Sequence, residues 1–298
     1  MKSLLFTGSN GFLGKNVISY LFEMKYDIST LDRHNACIIC DLSKEIPSTN
    51  SAFDIVIHAA GKAHTVPKNN QEKEQFYNVN FQGTKNLCKA FEKNGIPKSF
   101  IFISTVAVYG LDFGENITEK YPLKGITPYA LSKIQAEKFL IAWCKKYNVI
   151  LSIIRPSLVA GPNPPGNLGA MIKGIKSGKY LSISGGKSRK SILMVKDIAN
   201  LTPSLAVNGG VFNVCDSEQP AFRDIEKIIT HQLGKPLPLS IPFKLGKIMA
   251  FIGDFLGSYS PINSNKFKKI TNSLTFSNEK ALKELGWEPL SVLDNFKI

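Results

Sequence analysis

Tyr129 and Lys133 stand four residues apart in Tyr-Ala-Leu-Ser-Lys, the spacing that puts two side chains on one face of a helix. A free tyrosine, with a pKa near 10, is a poor base at neutral pH. An ammonium one turn away favours the phenolate, so the pair can pass a proton to or from a substrate hydroxyl. By itself the spacing arises often by chance, and an exposed tyrosine beside a lysine explains it too. A second cluster lies far upstream, in Leu5-Phe6-Thr7-Gly8-Ser9-Asn10-Gly11-Phe12-Leu13-Gly14. Here Gly8 permits a tight turn, Gly11 lets backbone approach a pyrophosphate, and Gly14 allows close helix packing. The phosphates would rest at the positive N-terminus of the helix that follows. The spacing is GxxGxxG rather than GxGxxG, but Asp32 follows at the end of the next apolar run. Its carboxylate is placed to accept from ribose hydroxyls and to repel a 2′-phosphate, which favours NAD. Arg33 beside it leaves NADP open. A dinucleotide loop with a proton-handling pair is the equipment of hydride transfer.

Residues so distant in sequence need a scaffold that gathers them. Short apolar runs at 3–7, 28–32, 37–40, 55–58, 100–104 and 150–155 alternate with helical stretches at 11–24, 72–94 and 129–147. That alternation is the mark of an α/β fold, a doubly wound parallel sheet whose strands are buried on both faces. Within 129–147, Ile134, Phe139, Leu140 and Trp143 recur at helical spacing. Gly161-Pro162-Asn163-Pro164-Pro165-Gly166-Asn167 then breaks the pattern as a loop. A mixed region follows, with a further strand at 211–214. The segment 243–256 is amphipathic; membrane docking is one reading of it, and a core-facing helix is the expected one.

The bulk composition excludes several classes. With 43% hydrophobic residues the chain is not disordered. Its 37 Lys+Arg against 23 Asp+Glu give a net charge of +14. The basic residues are spread along the chain without an arginine block, which reads as a lysine-rich surface rather than a nucleic-acid site. Five cysteines, an odd and irregular set, argue against a disulfide framework and for a reducing, cytoplasmic setting. Cys37-Ile-Ile-Cys40 has no second pair nearby and reads as a buried strand, so no metal site is expected. The N-terminus lacks a signal-peptide layout, and no apolar run reaches the roughly 20 residues of a membrane span.

Further motifs carry a resemblance. They are Asp41-Leu42, His58-Ala59-Ala60-Gly61, Asn78-Val79-Asn80, Ile103-Ser104-Thr105-Val106-Ala107-Val108-Tyr109-Gly110, Arg155-Pro156 and Leu285-Gly286-Trp287-Glu288-Pro289. With the glycine loop and YxxxK, they make the chain resemble the extended short-chain dehydrogenase/reductases, the NAD-dependent nucleotide-sugar epimerase/dehydratase family. The resemblance covers nearly the whole length. It implies a Rossmann domain over residues 1–156, rejoined near 190–214, and a smaller nucleotide-sugar domain mainly over 157–298. It assigns cofactor contacts to Gly8, Asn10, Gly11, Phe12, Leu13 and Gly14, to Asp32, Arg33, Asp41 and Leu42, and to His58, Ala59, Ala60 and Gly61. Asn80, Ser104, Tyr129, Lys133 and Pro156 complete that set. Thr105 takes the position of the Ser/Thr that bonds the reacting sugar oxygen, and Lys133 holds the nicotinamide ribose. Substrate contacts fall to His64, Val106, Asn167, Arg189 and Lys190. A homodimer is the family habit.

Departures from the family pattern narrow the chemistry. Members that remove water across the 4,6 positions carry Asp-Glu after that Ser/Thr, an acid and a base. Here Val106-Ala107 can supply neither. Leu158 stands where 4-epimerases usually have asparagine. The run Arg155-Pro156-Ser157-Leu158-Val159, with His64, tilts toward members that reduce 4-keto-6-deoxy nucleotide sugars. The expected activity is hydride transfer at carbon 4, by a UDP-sugar 4-epimerase or a 4-keto-sugar reductase of polysaccharide assembly. The rival is a catalytically silent relative that senses NAD or binds RNA. Intact Tyr129, Lys133 and Thr105 speak against it.

Overall fold

A computed structural model describes residues 1–49, 52–256 and 262–298. In the first half, β1 (Ser3–Thr7), β2 (Asp27–Asp32), β3 (Ile38–Ile39), β4 (Ile55–His58) and β5 (Ser99–Ile103) alternate with α1 (Phe12–Glu23), α2 (Asn70–Tyr77) and α3 (Gly83–Asn94). Next come β6 (Gly114–Ile117), α4 (Pro128–Tyr147) and β7 (Ile150–Pro156). The second half adds β8 (Leu158–Ala160), α5 (Gly166–Lys176), β9 (Ser182–Ile183), β10 (Ile192–Met194), α6 (Lys196–Asn208) and β11 (Gly210–Val214). It continues through α7 (Phe222–Leu233), β12 (Ser240–Ile241), α8 (Phe243–Leu256) and α9 (Ser264–Thr271), and ends in β13 (Leu274–Phe276), α10 (Glu279–Leu285) and α11 (Val292–Asn295).

Seven strands form one parallel sheet in the order β11-β7-β5-β4-β1-β2-β3. Successive residues of a strand face opposite sides, and both sides are apolar. Leu4 and Phe6 join Val17, Leu21 and Leu205 on one face, while Leu5 joins Phe91, Phe100 and Trp143 on the other. All residues of β4 and β5 are buried, as strands sandwiched between helix layers must be. Strand order reverses between β1 and β4. The crevice outside their carboxyl ends is where an open α/β sheet takes a ligand. The chain returns to this sheet through α6 and β11 after leaving it at β7. Two-stranded pairs β8–β10, β9–β12 and β6–β13 lie outside the sheet.

Three expectations are corrected. Residues 37–40 were expected as a buried strand. Only Ile38–Ile39 pair, at the sheet edge, where Cys37 and Ile39 are exposed. The helix expected over 72–94 is two helices joined by a π-helical segment, Asn78–Gln82, which turns Asn80 into the interior. A core-facing helix over 243–256 was also expected. Instead α8 turns Gly246, Ala250 and Gly253 inward and leaves its large apolar residues exposed.

Candidate active site

Helix α4 starts cleanly because the Thr127 side chain accepts from Ala130 N at 3.1 Å and Pro128 stands in the first turn. Its inward face carries Tyr129, Lys133 and Glu137 at successive turns. Thr105 reaches the same place from the end of β5, where it caps a 3-10 turn at Val106–Tyr109 by accepting from Ala107 N at 3.2 Å. The Thr105 hydroxyl lies close enough to the Tyr129 phenol to act on its proton. Burial raises the Tyr129 pKa above its ordinary value, and the Thr105 hydroxyl works against that rise. Lys133, one turn along the helix, was expected to lower it. Lys133 Nζ instead donates to the Ile103 carbonyl at 2.8 Å and lies 4.6 Å from the centre of the Phe102 ring. Burial pulls its own pKa down to about 8, against the upward pull of Glu137. Tyr129 therefore neighbours Thr105, and Lys133 is tied to the end of β5.

Lys133 also lies beside the loop after β4. A Cβ on Gly61 would stand 3.3 Å from Lys133 Nζ and 3.0 Å from Asn80 Oδ1, so glycine keeps that approach open. Asn80 fixes the loop, accepting from Lys62 N at 2.7 Å and donating to the Lys62 carbonyl at 3.1 Å and to Ser132 Oγ at 2.9 Å. Ala59 N and Ala60 N are bound to Thr7. His58 is fully buried, with Nδ1 2.7 Å from Thr7 Oγ1 and Nε2 2.9 Å from Thr84 Oγ1. Both ring nitrogens are thus taken by the protein, and only the His58 backbone is left to offer a cofactor. Burial first, and the Lys133 charge second, lower its pKa to about 3. The unfolded chain binds the extra proton between pH 6.5 and 3, so stability is full above 6.5 and falls with pH across that window. Thermal melts of His58→Gln across that range should show a shallower acid slope than the native protein. An unchanged slope would remove His58 from the acid transition.

Thr7 leads into the glycine loop. Gly8 has φ 78°, and a Cβ there would fall 2.7 Å from Ala60 N, so the turn needs glycine twice over. On Gly14 a Cβ would meet the Ser9 backbone oxygen at 2.3 Å, so this glycine packs helix against loop. Gly11 is the N-cap of α1 without a side-chain cap, and α1 has no acidic residue in its first turn. The first-turn N–H groups of Phe12, Leu13 and Gly14 are therefore open to an anion. The Ser9 hydroxyl, buried in the same loop, has no hydrogen-bond partner among the described residues. An uncapped helix start and an orphaned hydroxyl fit the pyrophosphate of a dinucleotide. Asp32 Oδ2 accepts from Asn10 N at 2.8 Å and Oδ1 from Arg33 N at 2.7 Å, which holds the carboxylate at the loop with lone pairs to spare. Arg33 is exposed beside it. A cleft of about 380 Å³ opens there, lined by Asn10, Phe12, Lys15, Asn16, Pro162 and Asn163. Asp41 caps its own turn, accepting from Ser43 Oγ at 2.6 Å, and Leu42 is buried against α3.

On the far side, His64 has a left-handed backbone (φ 59°) and lies against Gly166, where a Cβ would be 2.9 Å from His64 Nδ1. The structure so brings His64 to the start of α5, next to exposed Asn167. Val106 is half-buried beside Thr105. Arg189 donates to the Gln219 carbonyl at 3.2 Å, and Lys190 to the Asn272 carbonyl at 2.8 Å; burial lowers the Lys190 pKa to about 8. Both cations are anchored to the second half of the chain. Pro156 is buried at the end of β7, where it pairs with Val214.

One group at the site went unread in the sequence. Glu137, fully buried, accepts from Arg155 Nε at 3.1 Å and Nη2 at 2.6 Å, and from Ser104 Oγ. Arg155 Nη1 bonds Tyr109 Oη at 3.0 Å, which in turn donates to Asn213 Oδ1 at 2.6 Å. This chain of bonds ties α4 to the ends of β5, β7 and β11. Among the described residues no group of three or more His, Cys, Asp or Glu could hold a metal.

A phosphate-ready glycine loop at the switch point, with Thr105, Tyr129 and Lys133 at the same strand ends, defines an NAD-dependent enzyme of the extended short-chain dehydrogenase/reductase type. The chain belongs to the NAD dependent epimerase/dehydratase family, whose model matches residues 4–215. It is 27% identical over 297 residues to N-acetyl-α-D-glucosaminyl-diphospho-ditrans,octacis-undecaprenol 4-epimerase of Escherichia coli O157:H7, covering 93% of this chain and 88% of that protein. It is 28% identical over 321 residues to UDP-glucose 4-epimerase of Vibrio cholerae, covering 99% and 94%. Among solved structures, RMD from Pseudomonas aeruginosa complexed with NADPH has the same fold at a TM-score of 0.73 and 22% identity, covering 99% and 96%.

Proposed function

We propose that this protein oxidises or reduces carbon 4 of the sugar in a nucleotide-diphosphate sugar, as a 4-epimerase or a 4-keto-sugar reductase and not as a 4,6-dehydratase. The observation that carries the reading is that the Thr105 hydroxyl, at the end of β5, and the Tyr129 phenol, on α4, stand next to each other at the mouth of the sheet. A sugar hydroxyl between those two groups would donate its proton to Tyr129 while Thr105 bonds the oxygen; a carbonyl would receive the proton back. NAD, when bound, would supply the hydride acceptor and donor. Lys133 would hold the nicotinamide ribose, with Asp32 on the adenosine ribose and the uncapped start of α1 on the pyrophosphate. Elimination of water needs an additional acid and base near carbon 5 and carbon 6. Val106 and Ala107, next to Thr105, have no group to lend. Both relatives are by name 4-epimerases of diphosphate-linked sugars, one carried on UDP and one on undecaprenol.

Purified protein given UDP- and dTDP-sugars, with and without NAD(P)H, should yield products changed at carbon 4 alone. NAD that survives purification and supports turnover without added cofactor marks the epimerase; a requirement for added NAD(P)H marks the reductase. A 4-keto-6-deoxy product, read by its loss of water in mass spectrometry, overturns the exclusion of dehydration. Cofactor binding with no carbon-4 product from any sugar nucleotide would leave the silent NAD-sensing relative as the reading.

A further inference from the structure

Helix α8 is seated the wrong way round for a soluble surface helix. Its inward residues are the small ones, Gly246, Ala250 and Gly253; a Cβ on Gly246 would stand 3.0 Å from Ile183 and 3.1 Å from Phe267. Its outward stripe is Leu245, Ile248, Ile252 and Phe255, three or four residues apart, with Phe251 alongside. Ile248 is 57% exposed, Phe251 61% and Phe255 77%. The Phe251 and Phe255 rings meet at 5.1 Å between centroids. Leu239, 77% exposed, immediately precedes β12, which leads into α8. Folding gains nothing from such a face, and contiguous apolar surface of this kind marks a place of contact.

Charge chooses the partner. Lys244 and Lys247 are exposed on the same helix, and Lys268 and Lys269 are exposed on α9, which packs against it. The acidic residue of α8, Asp254, is engaged by Ser264 N at 2.9 Å and by Ser264 Oγ. An apolar stripe rimmed by lysines matches the plane where acyl chains meet anionic headgroups. A second copy of this chain would bring an equally basic rim. No helix among the described residues is long and apolar enough to cross a membrane, so the helix would lie in the interface.

We propose that α8 docks the protein on an anionic phospholipid bilayer, with Ile248, Phe251 and Phe255 among the acyl chains and the lysines of α8 and α9 on the headgroups. The experiment is sedimentation of the full chain with vesicles of phosphatidylcholine alone or mixed with phosphatidylglycerol. The protein should pellet with the mixed vesicles, and less so as salt rises. The triple variant Ile248→Ser, Phe251→Ser, Phe255→Ser alters only exposed positions. It should keep its circular dichroism and NAD binding while vesicle affinity falls about 10-fold or more. Lys244→Gln with Lys247→Gln should cost about fivefold per lysine on the mixed vesicles, with little change on phosphatidylcholine. Native protein left in the supernatant with phosphatidylglycerol present overturns the proposal, and so does equal pelleting of the folded triple variant. A native dimer in lipid-free solution that the triple variant dissolves, without vesicle binding, assigns the face to a second copy instead. NAD binding and carbon-4 chemistry are measured apart from pelleting, so either can fail without the other.

Discussion

Tyr129→Phe should lower turnover by about 10²–10⁴-fold, the usual contribution of a positioned acid–base group, with cofactor binding nearly unchanged. The substitution removes one oxygen from a ring packed against Phe76, 6.2 Å away between centroids, so the packing survives. What is lost is the proposed proton carrier beside Thr105. Thr105→Val should lower turnover as well, while Thr105→Ser keeps the hydroxyl and most of the rate. The pH profile separates Tyr129 from Lys133. The Lys133 ammonium, at about 8 through burial, is charged below that pH and neutral above it. The kcat/KM of the native enzyme should therefore fall as pH rises through about 8, since that profile reports the free enzyme. Burial puts the Tyr129 phenol above its ordinary value, so it adds no limb at lower pH. The residual activity of Tyr129→Phe should keep the limb near 8. Stopped assays on the preferred sugar nucleotide read both effects. Full turnover by Tyr129→Phe would end the proposed mechanism.

The parts of this site written in local sequence were legible. Glycines at 8, 11 and 14 between an apolar run and a helix read as a turn, and the structure sets them between β1 and α1, where Gly8 and Gly14 each leave no room for a Cβ. Strands buried on both faces are nearly uniform in hydrophobicity, so β1, β4 and β5 stood out. The unread parts depend on what lies opposite. Glu137, one turn beyond Lys133, has the spacing of an exposed helix pair, and only the sheet brings Arg155 to it. His58 sits in a motif that the family resemblance ties to the cofactor, but its ring is enclosed by Thr7 and Thr84, which no pattern in the chain connects. In α8 the apolar periodicity was plain. Which side faces the protein was decided by glycine and alanine, which let the helix approach closely while its large residues point away. Cys37–Cys40 looked buried because its residues are apolar, yet at the sheet edge half of them face solvent.

The second large effect is expected from the buried pair. Glu137 is 1% exposed in its side chain and Arg155 6%, and the fork of Arg155 meets both carboxylate oxygens. Removing one partner strands a charge in the core, which costs about 3–5 kcal/mol. Glu137→Met and Arg155→Met should each lose about that much by urea unfolding. The double variant Glu137→Met, Arg155→Met, which buries no charge, should recover a large share. Single losses that simply add in the double variant would mean the pair contributes as two independent packers. Stability is only half of the expectation. The Glu137 carboxylate also accepts from Ser104, the residue before Thr105, while its own helix carries Tyr129. It therefore ties together the two elements that carry Thr105 and Tyr129, the groups proposed to share the substrate oxygen. Glu137→Gln keeps the shape of the side chain but leaves Arg155 without its counter-charge. Turnover per folded molecule should fall in that variant with KM little changed, because the defect lies in alignment at the reacting oxygen and not in holding the sugar nucleotide. A folded Glu137→Gln enzyme with native kcat would show that β5 and α4 hold Thr105 and Tyr129 in line without this tie.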